Sequence, residues 1–205
     1  GSFFIGNTKD VHTYVFSVHG FFDLRNVTIA KALLESGGDV IEVGANIGTE
    51  TICFSDIVKN KGKVFAFEPF EQNLNWLRKN AELSKHNNIR IYPVAISDST
   101  GSVNFVPPPN DYSTGQGFIN TIDNNEISKL TVSCYQLDDF INEFRNVKCI
   151  FIDIEGADLL AIRGAKKIIN NFRPFIVLEV HSKLMKKFDL LAQDILEEMD
   201  SVDYK

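Results

Sequence analysis

The chain has 205 residues, 44% hydrophobic and 23% charged, the balance of an ordinary globule large enough to bury a full core. A net charge of −6 excludes a molecule built around phosphate backbones, so no nucleic-acid partner is expected. Three cysteines without C-x-x-C or Cys/His spacing exclude a disulfide framework and a structural zinc site, and no apolar run reaches membrane-span length.

Short β-rich runs alternate with helical periodicity, the pattern of a parallel sheet covered on both faces. Tyr14 to His19 (YVFSVH) predicts a lead-in strand and Val27 to Glu35 a helix stopped by Gly37-Gly38, together an N-terminal segment over 1–38. Asp39 to Val43 (DVIEV) opens a core over 39–205, and the helix after Asn46 turns Ile47, Ile52, Ile57 and Val58 inward. Lys63 to Phe67 (KVFAF) is the second strand. The helix after Glu68-Pro69 sets Phe70, Leu74, Leu77 and Ala81 on one face, with Trp76 at its edge.

Asn88 to Ile96 predicts a third strand and Gly101 to Val106 a hairpin partner. The polar stretch over 107–126 reads as a long loop, a length that in a compact domain accompanies function or disorder. Tyr112, Phe118 and Asn120 give it groups suited to covering an acceptor. Leu130 to Leu137 resumes regular structure, followed by a short helix from Asp138. Lys148 to Ile154 is a buried strand, and the helix from Ala157 to Asn170 buries Leu160, Ala161, Ala165 and Ile168. Phe175 to Val180 is the last strand and Leu184 to Met199 the last helix. No strand follows, so the sheet is expected to be cut short at its C-terminal edge.

The run Val40 to Thr49 (VIEVGANIGT) has the outline of a dinucleotide-binding turn, but Asn46 stands where the middle glycine of G-x-G-x-x-G would be. That substitution obstructs a pyrophosphate and leaves an amino-acid moiety unhindered, since a helix N-terminus welcomes a carboxylate as readily as a phosphate. Glu68 follows Gly48 at the end of the next strand, where an acid accepts hydrogen bonds from both ribose hydroxyls. A nucleoside joined to an amino acid, S-adenosylmethionine (SAM), satisfies both ends. Asp153, Glu155, Glu179 and His181 close the strand ends; Glu155 or His181 is the expected base, with Asp153 orienting donor or substrate. Two carboxylates and a histidine also suit a divalent cation, though no metal is predicted.

The blocks VIEVGANIGTETI, FAFEPFEQNLNWLRKN, AISDSTGSVNF, CYQLDDF, IDIEGADLLAIRGA and RPFIVLEVH resemble the FkbM-type SAM-dependent methyltransferases, in order and rough spacing, from Val40 to His181. The resemblance implies a class I, Rossmann-like sheet and O-methylation of a hydroxyl on a sugar, glycan or glycosylated metabolite, with S-adenosylhomocysteine (SAH) as product. It assigns Glu42, Gly44, Asn46, Gly48 and Thr49 to the methionine end of the donor and Glu68, followed by Pro69, to the ribose. Ala95 and Ile96 fall beside the adenine, and Asp153 and Glu155 on the family's Asp-x-Glu-Gly. The sequence departs from the family at Phe151, where a lysine is usual. Two rivals stand beside this reading: a SAM-fold domain that binds without catalysis, and an NAD-linked oxidoreductase. Cytoplasmic placement is the default expectation.

Overall fold

A computed structural model describes residues 1–110, 112–120 and 130–204. Two helices, α1 (Val11–His19) and α2 (Leu24–Leu34), precede β1 (Asp39–Val43), α3 (Thr49–Val58), β2 (Val64–Phe67), α4 (Glu71–Glu82) and β3 (Ile89–Tyr92). Four short strands follow, β4 (Ala95–Ile96), β5 (Gly101–Val106), β6 (Phe118–Asn120) and β7 (Leu130–Tyr135), with a 3-10 turn at Leu137–Glu143. The chain ends through β8 (Val147–Ile152), α5 (Asp158–Arg163), α6 (Lys166–Phe172), β9 (Phe175–Leu178), α7 (Ser182–Met185) and α8 (Ala192–Ser201).

The main sheet is wholly parallel, in the order β3-β2-β1-β8-β9. Alternate side chains leave its central strands on opposite faces. Ile41, Val43, Phe65, Phe67, Ile150 and Ile152 pack with Leu159, Ile162 and Ile168 of α5 and α6. Val40, Val64, Cys149 and Phe151 pack instead with Ala30 and Leu34 of α2 and Phe54 and Val58 of α3. Burial on both faces is why these strands read as continuous apolar runs. A second sheet, β4-β7-β5-β6, covers one end, with β5 antiparallel to both neighbours.

Four expectations are corrected. Tyr14 to His19 is helical: the Asp10 carboxylate accepts from the Thr13 N–H, Gly20 closes the far end in the left-handed region, and these caps override the β-branched and aromatic run between them. The expected strand over 88–96 divides at Pro93, and Ala95–Ile96 pairs with β7 in the second sheet. The helix over 157–170 divides at Gly164, which lets the chain approach the Ser97 carbonyl so closely that a Cβ would stand 2.1 Å from it. The last helix also divides, where Asp189 takes a positive φ of 56° between α7 and α8.

Candidate active site

The parallel register continues one residue past each strand. The N–H of Gly44 donates to the Phe67 carbonyl (3.0 Å), that of Glu68 to Tyr92 (3.1 Å), that of Asp153 to Val43 (3.0 Å) and that of Glu179 to Ile152 (3.1 Å). Gly44, Glu68, Asp153 and Glu179 therefore stand side by side along the carboxyl edge, where open α/β sheets bind their ligands. A cavity of about 230 Å³ opens there. Of the residues expected at the site, Glu42, Gly44, Asn46, Thr49, Glu68, Pro69, Ala95, Ile96 and Asp153 line it. Gly48, Glu155 and His181 do not.

The turn after β1 depends on backbone freedom at two points. Gly44 has φ 91°, and a Cβ on it would fall 2.0 Å from the Asp153 carbonyl oxygen. Asn46 has φ 49°, a conformation that asparagine tolerates better than most side chains. Its N–H donates to Glu68 Oε2 at 2.9 Å. The residue is 8% exposed, yet neither Oδ1 nor Nδ2 of its side chain has a partner. A buried amide left unpaired costs about 1–3 kcal/mol, which a ligand would recover. Gly48 N-caps α3 and rests against Leu77, outside the cavity.

Glu68 is held from three sides: Oε2 by Asn46, and Oε1 by the Phe70 N–H at 2.9 Å and the Asn73 amide at 3.5 Å. It thus braces the turn into α4 and still keeps lone pairs for a ligand hydroxyl. Burial outweighs these bonds and pushes its carboxyl up to about 7. Glu42 accepts a 2.6 Å bond from the Thr51 hydroxyl, and burial, then Glu50, hold it well above the carboxylate range. Desolvation by the surrounding walls and a hydrogen bond with Glu179 likewise raise Asp153, although the residue opens to solvent. Phe151, in place of the family lysine, is buried and stacks on Phe54 at 4.5 Å, and its backbone pairs in register with Glu42, so no cation answers that acid from β8.

Glu155 and His181, the bases expected from the sequence, are not among the residues that line the cavity. Glu155 has φ 56° and interacts electrostatically with Glu179 and then His181; His181 is exposed just before α7. The stretch expected as one long loop is instead broken by a 3-10 turn at Thr114–Gln116 and by β6, whose pairing with β5 draws Phe118 into the cavity lining; Tyr112 is 57% exposed, and residues 111 and 121–126 lie outside those described.

Three contributions had no motif to announce them. Glu50 lines the cavity from the first turn of α3, bonded to the Asn26 amide, and burial pushes it up to about 7. His12 lines it from α1, stacked on Phe22 at 3.9 Å; burial lowers its pKa, against the pull of Asp10. Thr114 and Gly115 roof it. Asp10, 1% exposed, accepts from the Thr114 N–H (3.2 Å) and hydroxyl (2.9 Å). Gly115 then lies so close that a Cβ would come 2.7 Å from His12 Nε2 and 3.4 Å from Asn46 Nδ2. A histidine among apolar residues ahead of β1 was the one signal available for His12.

Comparison with known proteins agrees with this geometry. The methyltransferase FkbM domain matches residues 42–205. The chain is 27% identical to the 2-O-methyltransferase NoeI of Sinorhizobium fredii, over 84% of this chain and 75% of that protein. It is 26% identical to the hexuronic acid methyltransferase AglP of Haloferax volcanii, over 78% of this chain but 64% of that one, just under two thirds of its length. The crystal structure of an FkbM methyltransferase from Methylobacillus flagellatus KT superposes with a TM-score of 0.52 at 23% identity, covering 78% of this chain and 37% of that longer one. Parallel sheet, glycine turn and acidic edge all accord with these matches: the chain belongs to the FkbM methyltransferase family, SAM-dependent enzymes of the class I α/β fold.

Proposed function

We propose that this domain transfers a methyl group from SAM to a hydroxyl of a neutral sugar. The observation that carries the reading is the unpartnered Asn46 amide, buried at the head of α3 in a cavity ringed by Glu42, Glu50, Glu68, Asp153 and Glu179. Asn46, Thr49 and the α3 N-terminus would hold the amino-acid end of the donor, Glu68 the ribose, and Ala95 with Ile96 the base. SAM supplies a methyl group activated on a cationic sulfur, and a ring of acids suits a cation. A sugar hydroxyl is a weak nucleophile and must lose its proton as the new bond forms.

Asp153 and Glu179, hydrogen-bonded to each other in the cavity, share one proton, and the ionised member of the pair is assigned the proton of the hydroxyl; Glu155, outside the lining, acts on Glu179, and His181 acts on Glu155. The similarity to a 2-O-methyltransferase and a hexuronic acid methyltransferase supports a sugar acceptor, and among sugars the acidic lining favours a neutral one over a uronate. The same acids disfavour the phosphates of NAD, which oppose their ionisation where a cationic sulfur eases it. Two adjacent carboxylates serve no folding purpose at the mouth of a cavity, which weighs against a purely binding module.

The test is transfer of label from methyl-labelled SAM to a panel of neutral and uronic glycosides. Asp153→Asn and Glu179→Gln are expected to lower turnover about 100-fold while SAH affinity stays within about threefold. Full turnover in both variants would remove the pair from proton transfer.

A further inference from the structure

On the far side of Asn73 and Thr114 from the donor cavity lies a second cavity of about 430 Å³, within the range of about 300–1,000 Å³ typical of small-molecule sites. Its floor is buried and polar: Asp10, Thr13 and Asn73, with Ile47. Its open wall is one face of α4, where Gln72, Asn75, Trp76 and Lys79 recur at helical spacing. Two polar atoms of the floor, Thr13 Oγ1 and Asn73 Oδ1, have no hydrogen-bond partner, although Thr13 is 4% and Asn73 3% exposed. The cavity meets the donor cavity at Asn73 and Thr114, which line both.

The chemistry of this lining is specific in what it lacks. Asp10 is already committed to Thr13 and Thr114, and Lys79 lies over the Trp76 ring at 4.9 Å from its centroid. One engaged cation does not make a phosphate site, and no group of three His, Cys, Asp or Glu capable of holding a metal occurs among the described residues. What remains is amides and hydroxyls, which donate and accept in equal measure, beside the flank of an indole. Alternating hydroxyls and an apolar C–H face are the complement of that surface, and together they describe a sugar ring.

We propose that the second cavity is a glycan subsite, holding a sugar residue of the acceptor further along the chain from the one that receives the methyl group. The assignment rests on the sugar-acceptor reading above and adds that the acceptor is an oligosaccharide rather than a single sugar. The two unpartnered floor atoms supply ring-hydroxyl contacts, and Trp76 supplies the platform.

Trp76 is the single tryptophan of the chain, so its emission reports on this cavity directly. The SAH-loaded protein is applied to an array of mono- and oligosaccharides, and the retained glycans are titrated while tryptophan emission is followed. An oligosaccharide is expected to shift or quench the emission saturably, and its monosaccharide unit to leave it unchanged. Trp76→Ala is expected to raise the KM for the oligosaccharide about tenfold, equivalent to about 1.4 kcal/mol, with kcat, SAH affinity and thermal midpoint preserved and with Trp76→Phe restoring most of the loss. Gln72→Ala with Asn75→Ala, on the exposed wall, is expected to act in the same direction without touching the core.

Methyl transfer to a glycan with silent Trp76 emission and unchanged KM in both variants overturns the subsite and leaves the methyltransferase reading standing. Absence of transfer to any glycan, together with absence of glycan binding, overturns both.

Discussion

Asn46 joins two demands in one side chain: it must enter the left-handed region, and it must leave an amide facing a buried space. Asn46→Gly separates them, keeping the turn and removing the amide. Its thermal midpoint is expected to stay within a few degrees of the parent, while calorimetric titration gives an SAH dissociation constant about tenfold weaker, the worth of one good buried hydrogen bond. Glu68 gives a prediction in pH. Burial raises it from 4.5 to about 7, so as pH rises the unfolded chain loses this proton first. The folded state is therefore favoured fully below pH 4.5 and loses about 3 kcal/mol of that advantage by pH 7. Glu50 acts in the same direction. The ligand-free thermal midpoint is expected to fall across this window, and the fall to shrink in Glu68→Gln; an equal slope in the variant contradicts the assignment.

At the level of elements, the closest approach in the site joins the end of β1 to the end of β8. Gly44→Ala would force a Cβ against the Asp153 carbonyl at a φ of 91°, and chemical denaturation is expected to show a loss of at least about 3 kcal/mol. Phe151→Ala, which opens the stack on Phe54, is expected to cost about 3–5 kcal/mol by the same measurement. These parallel strands were legible in the sequence because burial on both faces writes apolar runs such as KVFAF and KCIFI, and because acids stop them on one edge. Helix α1 was not legible, since its two caps are single residues flanking a run with strand composition. Strand β4 was hidden for a different reason: Ala95 pairs with Cys134, and no local pattern carries so distant a partner. The site divides in the same way. The carboxyl edge could be read from strand ends, whereas the roof depends on Asp10 and Thr114, 104 residues apart, and Glu50 was masked as an ordinary first-turn acid.

Over the whole molecule, acids converge at one place: Glu42, Glu50, Glu68, Asp153 and Glu179 line a single cavity at the sheet edge, several of them with carboxyls raised by burial. ATP and the nicotinamide dinucleotides carry the same base and ribose as the methyl donor, and would bring their phosphates toward Asp153 and Glu179, at the end of the site where the donor brings a positive sulfur. A cationic sulfur eases the ionisation of these raised carboxyls and a phosphate opposes it, so electrostatic sign joins fit in discriminating the true ligand from its imitators. Thermal protection by SAM that ATP fails to reproduce, or to compete away at equal concentration, is the expected signature, and a register that aligns four strand ends to within one residue is what makes such a sieve out of ordinary carboxylates.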